Sequence, residues 1–112
     1  MIYFTSNNVK ENVLLETDIQ ICDVKFIKEY FKNIDLVGVD TETTGFDPHK
    51  DKVLTLQLGH RQNQFVIDIS TIDILEFKDI LEQKDLILQN AKFDLRFFYK
   101  DNIWPNKVYD TF

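Results

Sequence analysis

Leu36-Val37-Gly38-Val39-Asp40-Thr41-Glu42-Thr43-Thr44-Gly45 is the stretch on which the reading of the fold turns. Leu36 to Glu42 is apolar and β-branched until its last positions, which predicts a strand that ends in the Thr43-Thr44-Gly45 turn. Strand side chains alternate between faces, so Asp40 and Glu42, two positions apart, project to the same side. Two carboxylates closing an otherwise apolar strand repel each other and resist desolvation. That costs free energy unless a cation or hydrogen-bond donors offset it.

Working outward from this strand, Val53 to Gly59 reads as a second strand, with Leu54, Leu56 and Leu58 on one face. Phe65 to Ile69 reads as a third, after a polar loop from Arg61 to Gln64. Short links between three strands predict an antiparallel meander. The period then changes. Ile74, Phe77 and Leu81 mark a helix whose Asp73 and Glu76 are spaced as a capping box. Leu86-Ile87-Leu88 reads as a short buried strand, and Ala91, Leu95 and Phe98 mark a helix to about Lys100. Val108-Tyr109 opens a last strand.

Upstream, Ile2-Tyr3-Phe4, Val13-Leu14-Leu15 and Ile19-Gln20-Ile21 are apolar runs interrupted by the turn signal Ser6-Asn7-Asn8, and they predict two short strands. Val24, Ile27, Phe31 and Ile34 predict an amphipathic helix over 23–33 with Asp23 as its N-cap. The expectation is one α/β domain over residues 1–112. Residues 1–34 form N-terminal strands plus a helix, and residues 35–112 form a core in which the meander is followed by α-β-α-β in a mixed sheet.

Composition bounds the function. The 112 residues are 44% hydrophobic and 29% charged, enough for a buried core. A single cysteine, Cys22, excludes an internal disulfide and a cysteine-rich zinc module. Lys10, Glu11, Glu16 and Asp18 break any secretory apolar segment, and no run approaches membrane-spanning length, so a cytoplasmic protein without membrane contact is expected. The net charge of −6 argues against coating duplex DNA through a basic face. It is compatible with a cation-binding carboxylate cluster that grips one strand end.

The third carboxylate is Asp94. It lies in the first turn of the helix that follows Asn90, where free N–H groups and the helix dipole favour an anion. Asp40, Glu42 and Asp94 supply the oxygen ligands a hard cation prefers, provided that their two strands are sheet neighbours. Lys92, Arg96 and Lys100 recur every four residues along one side of the same helix, either as a solvated face or as a track for phosphates.

Asp40-Thr41-Glu42-Thr43-Thr44-Gly45 and Gln89-Asn90-Ala91-Lys92-Phe93-Asp94 resemble the first and second motifs of the DEDD superfamily of 3′-5′ exonucleases. Tyr109-Asp110-Thr111-Phe112 resembles the segment that follows the second motif in the proofreading domain of family A (Pol I-type) DNA polymerases. The resemblance runs from about Asp35 onward. It implies a ribonuclease H-like fold and a two-metal mechanism with Mg2+ or Mn2+, in which Asp40, Glu42 and Asp94 are the catalytic metal ligands. It further implies that Thr41, Thr43, Phe46, Asn90 and Phe93 meet the substrate, with Phe46 as a wedge against the terminal base. Asn90 also suits an N-cap, and Phe46 suits a loop aromatic folded onto the core.

The implied partner is the 3′ end of single-stranded DNA, and the implied setting is a fragment of a polymerase I-like protein with a polymerase domain. The alternatives are an RNA-directed exonuclease of the ribonuclease D type and a non-catalytic nucleic-acid-binding remnant of the fold. No Tyr-x-x-x-Asp or His-x-x-x-x-Asp third motif occurs, since Tyr3, Tyr30, Tyr99, His49 and His60 lack the partner acid. The expectation is therefore a fold incomplete at its C-terminus and a chain of weak or absent activity by itself, with Asp110 hydrogen-bonded within the fold rather than standing in for the missing acid.

Overall fold

The computed structural model describes residues 1–8 and 19–111. Its elements run β1 (Ile2–Thr5), β2 (Ile19–Ile21), α1 (Val24–Phe31), β3 (Leu36–Thr43), β4 (Val53–His60) and β5 (Asn63–Asp68). A 3-10 turn (Ile74–Phe77) then leads into α2 (Lys78–Gln83), followed by β6 (Asp85–Leu88), α3 (Ala91–Lys100) and β7 (Lys107–Asp110). The apolar run Val13-Leu14-Leu15 and the last residue of the Tyr109 segment, Phe112, lie outside the described residues.

One seven-stranded sheet has the order β2-β1-β5-β4-β3-β6-β7. β3, β4 and β5 form the expected antiparallel meander, and β6 and β7 add in parallel on the far side of β3. The mixed sheet with an α-β-α-β second half is therefore as the sequence predicts. The N-terminal strands join the same sheet: β1 pairs in parallel with both β5 and β2.

Alternation sorts β3 into two faces. Val37, Val39 and Thr41 are buried, whereas Leu36, Asp40 and Glu42 are exposed. The buried face continues through Leu56, Leu58, Phe65, Ile67, Leu86 and Leu88. Against it pack Ile27 and Phe31 of α1, Ile80 and Leu81 of α2, and Phe97 and Phe98 of α3, in a single core. Residues 1–34 thus contribute to the same core as the rest. The opposite face carries no described helix. Leu36, Gly38, Asp40, Gln57, Gly59 and Ile87 border a groove of about 980 Å³ there.

Three local expectations are corrected. A register shift between Glu42 and Thr43 pairs Thr43 with Val53, so Val53 takes the buried position and Leu54 is turned outward instead of sharing a face with Leu56 and Leu58. The β4–β5 turn is tighter than the polar loop the sequence suggests, because Asn63 and Gln64 already belong to β5. The Asp73/Glu76 capping box does not form. The chain opens on a 3-10 turn, where Asp73 accepts from Leu75 N, and Glu76 reaches Lys28 of α1 at 2.8 Å, a full charge in place of a backbone donor. Asp23 caps α1 as expected, accepting from Phe26 N at 2.8 Å. No helix among the described residues is long and apolar enough to cross a membrane.

Phe65 is fully buried and sits against Tyr3, Phe26, Tyr30 and Phe31, with ring centroids 4.7–6.3 Å apart. This cluster joins β1, α1 and β5. Phe65→Ala is expected to lower stability by about 3–5 kcal/mol, read by urea denaturation, because a large aromatic leaves a cavity that its rigid neighbours cannot fill.

Candidate active site

β3 and β6 are parallel neighbours, with Leu36 opposite Asp85 and Gly38 opposite Ile87, so both carboxyl ends open at one edge of the sheet. The loop after β3 and the start of α3 meet there. The adjacency on which the three-carboxylate reading depends is thus met at the level of strands.

The side chains divide between the two faces. Asp40 and Glu42 lie exposed on the helix-free face, as alternation predicts, and Asp40 borders its groove. Asp40 Oδ1 accepts from the Thr41 N–H at 2.9 Å, which orients the carboxylate. Thr41 points the other way, beneath α3. There its hydroxyl donates to Asp94 Oδ1 at 2.5 Å, and Asp94 is only 3% exposed. Burial pushes Asp94 up to about 6, the Thr41 hydrogen bond pulls it back, and the nearby Asp40 charge pushes it up further.

The expected convergence of all three acids is not formed directly. Among the described residues, no three His, Cys, Asp or Glu side chains lie close enough together to hold a metal ion. The reason is local. α3 packs on the Thr41 face, and a buried carboxylate needs a donor, which the Thr41 hydroxyl supplies. Asp94 nevertheless feels the charge of Asp40, so the two acids share one electrostatic neighbourhood.

The donor set still fits a hard cation on the open face. Asp40 and Glu42 offer adjacent carboxylate oxygens. Thr55, the register partner of Glu42, holds the one buried side-chain oxygen among the described residues that lacks a hydrogen-bond partner. Two carboxylates exposed on one face suit Mg2+, which is bound through one or two carboxylates and keeps several of its waters.

Of the residues expected to meet substrate, Thr41 and Thr43 spend their hydroxyls inside the protein, Thr41 on Asp94 and Thr43 on the Gly45 carbonyl at 2.6 Å. Phe46 is 85% exposed rather than folded onto the core. Its ring meets Phe93 of α3 edge-on with centroids 6.0 Å apart, and Phe93 leans on buried Phe97. Behind Phe46 the loop is fixed by Asp51, whose carboxylate accepts from Thr44 Oγ1 and Asp47 N, and a Cβ on Gly45 would run into that carboxylate.

Asn90 occupies the N-cap position of α3, but its backbone is left-handed (φ 56, ψ 58) and its side chain caps nothing. That backbone differs from the extended geometry from which an N-cap side chain reaches back to its helix. Asp110 of β7 caps the helix instead, accepting from Asn90 N at 3.0 Å and Ala91 N at 3.1 Å. Asp110 is thus hydrogen-bonded within the fold as expected, but the sequence did not point to the start of α3 as its partner. The one trace of this cap is an asparagine, a residue tolerant of the left-handed region, directly before a helix. Lys92 and Arg96 are exposed on α3, while Lys100 holds the Asp51 carbonyl at 2.9 Å.

The chain is similar to known proteins in the following ways. A family model described as 3′-5′ exonuclease matches residues 20–112. DNA polymerase I of Aquifex aeolicus (strain VF5) is 33% identical over 81 residues, which are 71% of this chain and 13% of the polymerase. Brucella melitensis NrnC with bound Mg2+ superposes with a TM-score of 0.66 at 22% identity, covering 99% of this chain and 50% of that one. Escherichia coli RNase D, an exoribonuclease involved in structured RNA processing, superposes with a TM-score of 0.65 at 21% identity, covering 79% of this chain and 24% of that one. The chain spans half or less of the length of each of these relatives.

Because Asp94 ionises with difficulty in the fold, it binds its proton more tightly folded than unfolded. Its contribution to stability is therefore full below about pH 4 and lost as pH rises through about 6. Asp94→Asn, which keeps an acceptor for Thr41, is expected to be more stable than the parent by about 1–3 kcal/mol at pH 7.5 in EDTA, and equal to it near pH 4. Denaturant melts at the two pH values check the sign.

Proposed function

Because the chain belongs to the 3′-5′ exonuclease family and is 33% identical to a stretch of DNA polymerase I, we propose that it shortens single-stranded DNA from its 3′ end, releasing nucleoside 5′-monophosphates, as the editing part of a polymerase I-like protein. The observation that carries this reading is the pair Asp40 and Glu42. They stand side by side on the open face at the carboxyl end of β3, with Asp94 within electrostatic reach.

In this reading Asp40, Glu42 and Asp94 would hold the divalent cations, Mg2+ or Mn2+, with Asp40 and Glu42 on the open face and Asp94 as the third acid. Bound cations supply a water acidic enough to attack phosphorus and neutralise charge on the attacking and leaving oxygens of an in-line displacement. The remaining work falls to the chain's own side chains. The Thr41 N–H fixes the rotation of Asp40, and the Thr41 hydroxyl holds Asp94 at the base of the site. Phe46, backed by Phe93, offers an aromatic edge and face to the last base, a contact worth about 1–3 kcal/mol. The Asn90 amide, exposed and without a capping bond, would meet the sugar-phosphate. Thr43 acts indirectly by shaping the turn that carries Phe46.

The preference for DNA rests on the likeness to polymerase I, and matched RNA is the competing substrate. A 5′-labelled single strand of either kind, incubated with Mn2+, is expected to yield slow shortening from the 3′ end, faster on DNA and absent in Asp40→Ala. Calorimetry is expected to register Mn2+ binding that Asp40→Ala or Glu42→Ala removes. A chain that neither binds Mn2+ nor shortens either strand is not an exonuclease, and faster loss of RNA reverses the assignment of substrate. Phe46→Ala is expected to raise KM for DNA roughly tenfold with kcat little changed.

A further inference from the structure

The start of α3 is held from outside. A helix begins with N–H groups that have no partner within it, and a side chain at the N-cap usually supplies one. Here Asn90 is left-handed and supplies none. The carboxylate of Asp110, from the next strand, takes the N–H groups of Asn90 and Ala91 with one oxygen each. Two features seat Asp110 for this. β7 pairs with β6 in register, Leu88 opposite Asp110, and Thr111 N continues the ladder to Leu88 O at 2.9 Å. The two bonds are charge-assisted and fork-like, so they fix the direction of the first turn as well as its existence.

That turn contains Asp94, one helical turn beyond Ala91 and bonded to Thr41. Asn90 itself is exposed and its side chain makes no bond to the helix it precedes. We propose that Asp110 is a positioning residue of the exonuclease site: it caps α3 from β7 so that Asn90 is free to face substrate and Asp94 is seated against Thr41. The inference rests on the exonuclease reading for what the positions do, but not for the cap itself. Asp110 lies in the segment after the second motif, and its two bonds to Asn90 N and Ala91 N are the route by which it acts on the site.

Amide hydrogen exchange and nucleic-acid binding together test it. In Asp110→Ala, exchange at residues 90–94 is expected to quicken by about fivefold, the loss of one cap, while exchange in α1 stays as in the parent. Affinity for a 5′-labelled single-stranded DNA, measured by fluorescence anisotropy in Ca2+, is expected to fall by about threefold or more. Mn2+-induced broadening of the Asp94 amide is expected to need a higher Mn2+ concentration. Asp110→Asn, which keeps the shape and one acceptor, is expected to restore part of each effect and also serves if the alanine variant folds poorly.

Unchanged exchange at 90–94 overturns the proposal. So does a uniform quickening across α1 and α3, which marks general loss of stability. Loosened exchange at 90–94 with DNA and Mn2+ binding intact leaves a structural cap only, and likewise overturns it. If the parent chain binds neither DNA nor Mn2+, the exonuclease reading fails, while the exchange data still report whether the cap holds the turn.

Discussion

The parallel pairing of β3 with β6 is the constraint from which the rest follows. Leu36 to Gly38 lie against Asp85 to Ile87, and the two strands therefore end at the same edge. Loops that leave the carboxyl ends of neighbouring parallel strands are the usual place for an α/β sheet to build a site. Here one loop follows Glu42 and carries Phe46, and the other leads into α3 and Asp94. The antiparallel β4 on the other side of β3 keeps that strand central, so its two faces meet two different environments. One face is sealed by helices, and the other stays open. The alternation of a single strand thereby separates Thr41 from its neighbours Asp40 and Glu42 in solvation as well as in direction.

This separation explains the electrostatics. A carboxylate placed under α3 with one hydroxyl donor and another acid nearby is held reluctantly, and Asp94 responds with a raised affinity for protons. A cation at Asp40 would relieve the same tension. Strained ionisation of this sort is characteristic of functional sites, although structural networks produce it as well. The aromatic pair Phe46 and Phe93 illustrates the opposite tendency. Phe46 gains little from solvent exposure as a single residue, and a loop fixed by Asp51 keeps it there regardless.

Much of this was legible in the residues. The run from Leu36 to Thr44 read as a strand because its β-branched side chains and terminal turn point the same way, and α1, α3 and the short β6 were visible through period and length. Asp40 and Glu42 were placed on one face by alternation alone. What remained hidden depended on contacts between distant segments. The shift between Glu42 and Thr43 that turns Leu54 outward belongs to the pairing of two strands, not to either one. Glu76 pairs with Lys28 of another helix instead of returning to the start of its own. The direction of Asp94 depended on which face α3 would cover, and neither motif encodes that. The cap by Asp110 joins positions twenty residues apart, beyond the reach of a local signature.

That span has a temporal consequence. Until β7 has paired with β6, the leading N–H groups of α3 lack the Asp110 carboxylate and must bond to water. The left-handed bend at Asn90 then lacks its partner until Asp110 arrives in register beside Leu88. Helix formation within α3 is local, whereas the cap requires β7 to be paired beside β6. The geometry around Asp94 thus matures only when the edge strand docks, and a nascent chain stalled between the two would carry the second motif without the anchor that orients it.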